Sequence, residues 1–329
     1  MRRTPRTLIR DRASALVHGD TLRLSLYDAP SGDPGLFGLD SVVWRVHADL
    51  PGMLMGGIAA LMLQTLHPLA MAGVDQFSDY RRDPIARLNR TARFVSVTSY
   101  GSTREAEAAI ARVRRVHDGI RGTAPDGRSY AAGDPHLLTW VHVAEAACFL
   151  RGYEVFGPQR GALAEADRDR YFREVARVAE RLGASGVPQS AAEVRAYMDA
   201  IRPELAVTDA ALDAVQFIQA IDPSPGVRPA VRILMGGAIS LLPHWASDAL
   251  KLRQPRATTA LLYRPAAHAL GAVLRYATSP SPIVSTATAR ARPLESAGAE
   301  DGAGNGAESG SSRKQPPAAP GVTTRSSTA

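Results

Sequence analysis

The sequence predicts an all-α fold: a single multi-helix globular domain followed by a disordered C-terminal tail. The chain has 329 residues, 45% hydrophobic but only 6% aromatic. Its core is therefore mostly Ala, Leu and Val, which suits closely packed helices better than β-sandwiches. Strand-like alternation is nearly absent, while helix-start signals recur between apolar stretches.

Residues 1–35 read as an N-terminal arm, closed by the turn-rich "DAPSGDPG" at 28–35. The helical body runs from 36 to 285. Asp40 or Ser41 caps a first helix through Val43 and Val46. Residues 52–66, "GMLMGGIAALMLQTL", form an apolar helix. Asp83-Pro84 is a cap followed by proline at the first helical position, opening a helix to about Val97. Ser102 and Glu105 fit a capping box and open the next helix, which Gly122 ends. Asp134-Pro135 repeats the Asp-Pro start, for a helix to about Phe156. Further helices are expected at 159–182, 191–201 behind Ser190 and Glu193, 209–220, 229–241 and 244–252. From 286 to 329 there is no aromatic residue and almost no large aliphatic one. Such a tail cannot bury enough apolar surface to offset its ordering entropy, so disorder is expected.

Composition narrows the function. The net charge is +7, and Lys251 and Lys314 are the only lysines. Most arginines alternate with acids, as in "EADRDRYFREVARVAERL", the pattern of a solvated helix face with i,i+4 pairs rather than a nucleic-acid surface. The single cysteine, Cys148, rules out a disulfide within the chain, a Cys-rich zinc site and Cys-x-x-Cys-His haem attachment. The basic N-terminus lacks a long apolar core, so no secretory signal and a cytoplasmic location are expected. The fifteen residues 52–66 are short for a span of about 20. They read as a buried core helix, with peripheral membrane contact left open.

Chemistry concentrates on three helices. On the helix from 103 to 121, which ends in "RVRRVHDGIR", Ala106, Ile110, Val113, His117 and Ile120 fall on one apolar face. His117 thus points into the core, Arg112 and Arg115 turn outward, and Arg114 and Arg121 flank it. Burial and nearby arginines both favour a neutral imidazole, the form a metal needs. A core histidine bonded to a backbone carbonyl fits the same pattern. Next, Leu138, His142, Glu145 and Phe149 share a face, which sets His142 beside Glu145. A buried carboxylate needs a partner or a proton: an arginine from another helix, or a metal shared with His142. Third, Arg87, Arg90 and Thr91 cluster two guanidinium groups and a hydroxyl, suited to carboxylates or phosphates. His67, before Pro68, either caps its helix or faces a pocket. There is no dinucleotide fingerprint, P-loop, Gly-x-Ser-x-Gly or His-Glu-x-x-His.

In order and spacing, "LMLQTLHPLAMAGVDQFSDYRRDPIARLNRTARFVSVTSYGS", "RVRRVHDGIRG" and "DPHLLTWVHVAEAACFLRGYEVFG" resemble the catalytic domain shared by MpaB-type oxygenases and latex-clearing rubber oxygenases, over about 38–255. The resemblance implies an all-α fold with a buried cofactor pocket holding non-covalent haem b. It maps the iron's proximal ligand onto His117, and the Arg-x-x-Lys-Thr motif near the haem onto Arg87-Leu-Asn-Arg90-Thr91, with arginine in place of lysine. Arg121, His142 and Glu145 would line the cofactor pocket, and His67 is a candidate distal group. The family's distal carboxylate falls near Met71 in spacing, with Asp75 close by. The implied reaction is O2-dependent cleavage of a carbon–carbon double bond in an isoprenoid. Without an export signal, a small apolar alkene or terpenoid is the expected substrate rather than polyisoprene. Two other readings stand beside it: a non-haem metal enzyme using His117, His142 and Glu145, and a non-catalytic carrier of haem or an apolar ligand.

Overall fold

The computed structural model describes residues 4–18, 22–158, 162–221, 226–252 and 254–292. Helices α1 (Pro5–His18), α2 (Val42–His47), α3 (Leu50–Gln64), α4 (Pro68–Phe77), α5 (Pro84–Tyr100) and α6 (Thr103–Asp118) precede a small hairpin. Helices α7 (Pro135–Phe156), α8 (Glu165–Leu182), α9 (Ala191–Ala200), α10 (Asp209–Gln219), α11 (Arg228–Ile239) and α12 (His244–Ala249) follow it. The last stretch is α13 (Arg256–Thr258), running through a π turn at Thr259–Tyr263 into α14 (Arg264–Thr278), then α15 (Pro282–Ala291). The described residues bear out the all-α class.

The start signals do what their chemistry predicts. Ser41 Oγ accepts from Trp44 N at 3.2 Å, Asp83 Oδ1 from Ala86 N at 2.9 Å, and Ser102 Oγ from Glu105 N at 3.3 Å. Asp134 Oδ1 accepts from His136 N at 2.8 Å, and Ser190 Oγ from Glu193 N at 3.1 Å. Each satisfies one of the N–H groups that a helix start leaves open. The first N–H groups of α2 receive further help from α8: buried Glu174 accepts from Val43 N at 3.0 Å, while Arg170 holds its other oxygen at 2.7 Å. The Arg–Glu alternation of α8 therefore includes one i,i+4 pair that reaches into the core.

Helices α3 and α7 form the centre. Their backbones touch because glycines meet there: a Cβ added at Gly56 would sit 2.6 Å from Cys148 O, and one at Gly152 would strike Gly52 O. Met55, Leu63, Trp140 and Phe156 fill the layer around this crossing. The apolar stretch 52–66 is thus a core helix. Among the described residues no single helix is long and apolar enough to cross a membrane, and α3 and α4 are bent by 103° at their junction. A second cluster packs Val42, Val43 and Val46 of α2 against Tyr171, Phe172 and Val175 of α8.

Four boundaries differ from the sequence reading. Helix α6 ends at Asp118, capped by Gly119, before the expected stop at Gly122. Residues Arg121–Thr123 instead pair antiparallel with Ser129–Ala131 as strands β1 and β2, in register Arg121↔Ala131. Their turn closes through Gly127, whose φ of +86° favours glycine. Helix α8 begins at Glu165, six residues after the expected start at 159. In the arm, residues 5–18 are helical. Helix α15 carries regular structure through Ala291, past 286, with Ile283 and Ala287 buried beside Tyr27 and Trp44. The rest of the tail expected over 286–329, from 293 onward, lies outside the described residues.

Candidate active site

Helices α3, α5, α6, α7 and α8 enclose a cavity of about 2090 Å³. Ordinary small-molecule pockets hold roughly 300–1,000 Å³, so this space exceeds what one small substrate needs. Its walls are largely apolar, with Leu54, Ile58, Leu61, Phe94, Val113 and Phe149 among them.

His117 reaches this cavity from the last turn of α6. Ala106 and Ile110 are buried behind it, and Val113 and His117 continue their stripe to the cavity wall. Burial lowers its pKa, against a smaller opposing effect of the Asp118 carboxylate, so the ring is neutral. Its Nδ1 is buried and has no hydrogen-bond partner. The backbone-carbonyl bond of an ordinary core histidine is therefore missing at that nitrogen. Arg112 and Arg115 are exposed as expected, although Arg112 also touches the cavity rim. Arg114 points to α8, donating to Arg181 O at 3.4 Å. Arg121 sits exposed in β1, away from the cavity lining, because the helix ends before it.

Arg87, Arg90 and Thr91 all line the cavity from α5. Arg87 has its pKa lowered by burial and then by the like charge of Arg90. No acid pairs with either guanidinium among the described residues. Thr91 Oγ1 donates to Arg87 O at 3.3 Å, so its proton is already used within the helix.

His142 and Glu145 line the cavity from α7, one turn apart. Both are walled in by protein, and the surface they keep faces the cavity. Burial pulls the His142 pKa down to about 4 and pushes that of Glu145 up to about 7. The expected arginine partner for Glu145 is not there, so near neutral pH its carboxyl balances between acid and base.

The sequence reading missed His47, at the end of α2, which also lines the cavity. Its Nδ1 meets Ser99 Oγ at 2.7 Å and its Nε2 meets Tyr171 Oη at 3.1 Å. Ser99 Oγ donates to Val95 O at 2.6 Å. It therefore accepts from His47 Nδ1–H, and Tyr171 donates to the bare Nε2. Burial holds the imidazole pKa at about 3 and raises that of Tyr171. This relay joins α2, α5 and α8 behind the cavity wall. His47 lies four residues after Val43 and one after Val46, close enough to the buried stripe to have been read as inward-facing.

Two expected site residues lie elsewhere. His67 does not line the cavity: its Nδ1 caps α4, accepting from Ala70 N at 3.5 Å, and its Nε2 faces Glu204 and His136. Asp75 is bound by Tyr80 Oη at 3.0 Å and Arg81 at 2.6 Å, also off the lining, whereas Met71 is on it. Nor do the donor atoms of His117, His142 and Glu145 gather into one coordination sphere. The three-donor group among the described residues is His67, His136 and Glu204.

Residues 44–275 match the family model described as ER-bound oxygenase mpaB/B'/Rubber oxygenase, catalytic domain. That match spans well over half of the chain, which belongs to this family. No curated protein and no solved structure gives a significant match.

Proposed function

We propose that this member of the MpaB/rubber oxygenase family is a haem b-dependent oxygenase that uses O2 to oxidise a small apolar alkene of isoprenoid or terpenoid type. The observation that carries the reading is His117: a neutral imidazole on the wall of an oversized apolar cavity, with a ring nitrogen that no protein group satisfies. Iron ligation needs a neutral ring of this kind. Arg87 and Arg90 fit the other end of the cofactor, since two cavity-facing guanidinium groups without acidic partners suit a pair of propionates. Haem held there would supply O2 chemistry tuned by its axial ligand and the polarity around it.

The chain's own residues then have separable tasks. His117 holds the iron through a ring nitrogen. Arg87 and Arg90 bind carboxylates, and Thr91, tied to Arg87 O, stiffens that turn of α5. Glu145 is poised to give or take a proton at its carboxyl near neutral pH, while His142 stays neutral beside it. The apolar wall excludes water and receives the substrate.

Hemin added to the purified full-length chain is expected to give a Soret band. His117→Ala should abolish or shift it, and Arg128→Ala should leave it unchanged. Bound iron or manganese without a Soret band would refute the haem assignment. A Soret band without O2 consumption across a terpenoid panel would reduce the protein to a carrier.

A further inference from the structure

We infer that His67, His136 and Glu204 form a second, separate metal site for a first-row divalent cation of the zinc type. Three segments supply the donors. His67 sits at the bend between α3 and α4, His136 in the first turn of α7, and Glu204 in the single 3₁₀ turn Arg202–Glu204 that follows α9. Glu204 Oε2 lies 2.8 Å from His136 Nε2 and 3.8 Å from His67 Nε2, and all three donor atoms fall within 4.8 Å of one another.

His67 makes this more than a surface cluster. The residue is 1% exposed, and its Nε2 is aimed at the group with no hydrogen-bond partner. At 3.8 Å the carboxylate of Glu204 is too far to accept one. A buried imidazole N–H left without an acceptor is an unmet polar group, and a cation taking the place of that proton would satisfy the nitrogen. Ligands about 2.0–2.2 Å from a tetrahedral zinc ion stand roughly 3.3–3.6 Å apart. His136 is half-exposed, and a swing of its ring that exchanges the 2.8 Å contact with Glu204 Oε2 for the ion would close the remaining gap. Two imidazoles and one carboxylate suit zinc, with a fourth position open to water.

Two features oppose the ion, and both are small. The ring proton of His67 sits on Nε2 while Nδ1 accepts from Ala70 N. Ligation through Nε2 moves that proton to Nδ1 and gives up the cap contact, which at 3.5 Å is at the outer limit of a hydrogen bond. Arg128 lies near Glu204 and His67, but Asp126 engages its guanidinium at 2.7 and 2.9 Å.

A bound cation would staple the exit of α9 to the α3–α4 bend, where Ala206 N already donates to Leu66 O at 2.8 Å. The site shares no residue with the cavity lining, so it is separate from the chemistry at His117.

Untagged, haem-free, full-length protein titrated with Zn²⁺, and with Co²⁺ for its visible absorption, tests this. One equivalent per chain is expected, with a rise in melting temperature. His136→Ala and Glu204→Gln change exposed side chains and should leave the fold intact. Each should weaken binding by at least the roughly 10–100-fold that loss of even an outer-shell partner brings, and cancel the thermal shift. His117→Ala should bind the ion as the parent does. Absence of stoichiometric uptake, or uptake indifferent to both variants, overturns the site. Uptake lost in His117→Ala would move the ion into the cavity and overturn it too.

Discussion

Glu145→Gln is expected to abolish a pH dependence of stability that the burial of this carboxyl imposes. The group ionises at 4.5 in an ordinary setting and at about 7 in the folded chain. The folded state therefore keeps its proton over a window in which the unfolded chain has released it. Stability contributed by the protonated carboxyl is complete below pH 4.5, is lost as pH rises, and is gone above about 7. Across that gap the full effect is about 3 kcal/mol, at roughly 1.4 kcal/mol per pH unit. Part of the side chain faces the cavity rather than packed protein, which lessens the desolvation of the charge, so about 1–2 kcal/mol is expected. His47 and His142, held neutral down to about 3 and about 4, contribute a slope of opposite sign below pH 6.5. The difference between variant and parent cancels them. Urea unfolding of haem-free protein, followed by circular dichroism from pH 4.5 to 8, makes the measurement. The variant should match the parent at the acid end and exceed it by about 1–2 kcal/mol above pH 7. Parallel profiles would refute the argument that Glu145 is buried without a partner.

Five other substitutions, at four positions, probe the scaffold and the opposite charge logic. His142→Gln should flatten the acid-side loss of stability between pH 6.5 and about 4, because over that window the unfolded chain takes up a proton that the buried imidazole refuses; the same urea series reads it. Gly56→Ala should cost about 1–3 kcal/mol in urea unfolding, since its Cβ would meet Cys148 O at 2.6 Å and force α3 from α7. Gly57→Ala, meeting only Phe149 Cε1 at 3.5 Å, should cost nothing measurable. Arg290→Met should cost about 3 kcal/mol or more, because buried Arg290 donates to Asp33 O, Tyr27 O and Tyr100 O at 2.8–3.2 Å. Arg290→Lys should recover only part of that stability, since one ammonium cannot reproduce the fork.

Local chemistry was the legible part of this sequence. Asp83-Pro84, Ser102, Asp134-Pro135 and Ser190 mark helix starts because an acceptor two or three residues ahead of a free N–H acts within one turn, whatever the rest of the chain does. The stripe through Ala106, Ile110, Val113 and His117 is legible for the same reason. What lies beyond one helix was not. The helix stop was assigned to Gly122, whereas Gly119 caps α6 and frees Arg121 to pair with Ala131, a contact across the hairpin. The sequence leaves His67 between capping its helix and facing a pocket, whereas the 103° bend between α3 and α4 turns it toward His136 and Glu204. Those partners lie 69 and 137 positions away in the chain. The link of His47 to Ser99 and Tyr171 is likewise set by how α2 seats on α5 and α8.

The charges around the cavity do not balance, and that imbalance is itself informative. Asp49 is committed to Arg275 at 2.5 Å, Asp79 to Arg82 at 2.9 Å, Glu105 to Arg104 at 3.0 Å and Asp11 to Arg10 at 3.8 Å. Glu145 holds its proton up to about pH 7, and His47, His117 and His142 are neutral. Among the described residues no anion is left over for Arg87 and Arg90. A partly buried guanidinium next to a like charge is costly, and an isosteric apolar side chain removes that cost. Arg87→Met should therefore make the haem-free chain as stable as the parent or more so in urea unfolding, while weakening hemin binding in a Soret titration. Such opposite signs mark a residue retained for a ligand rather than for the fold. If Arg87→Met destabilises the haem-free chain and leaves hemin binding unchanged, the guanidinium is serving the scaffold, and the propionate assignment on α5 falls with it.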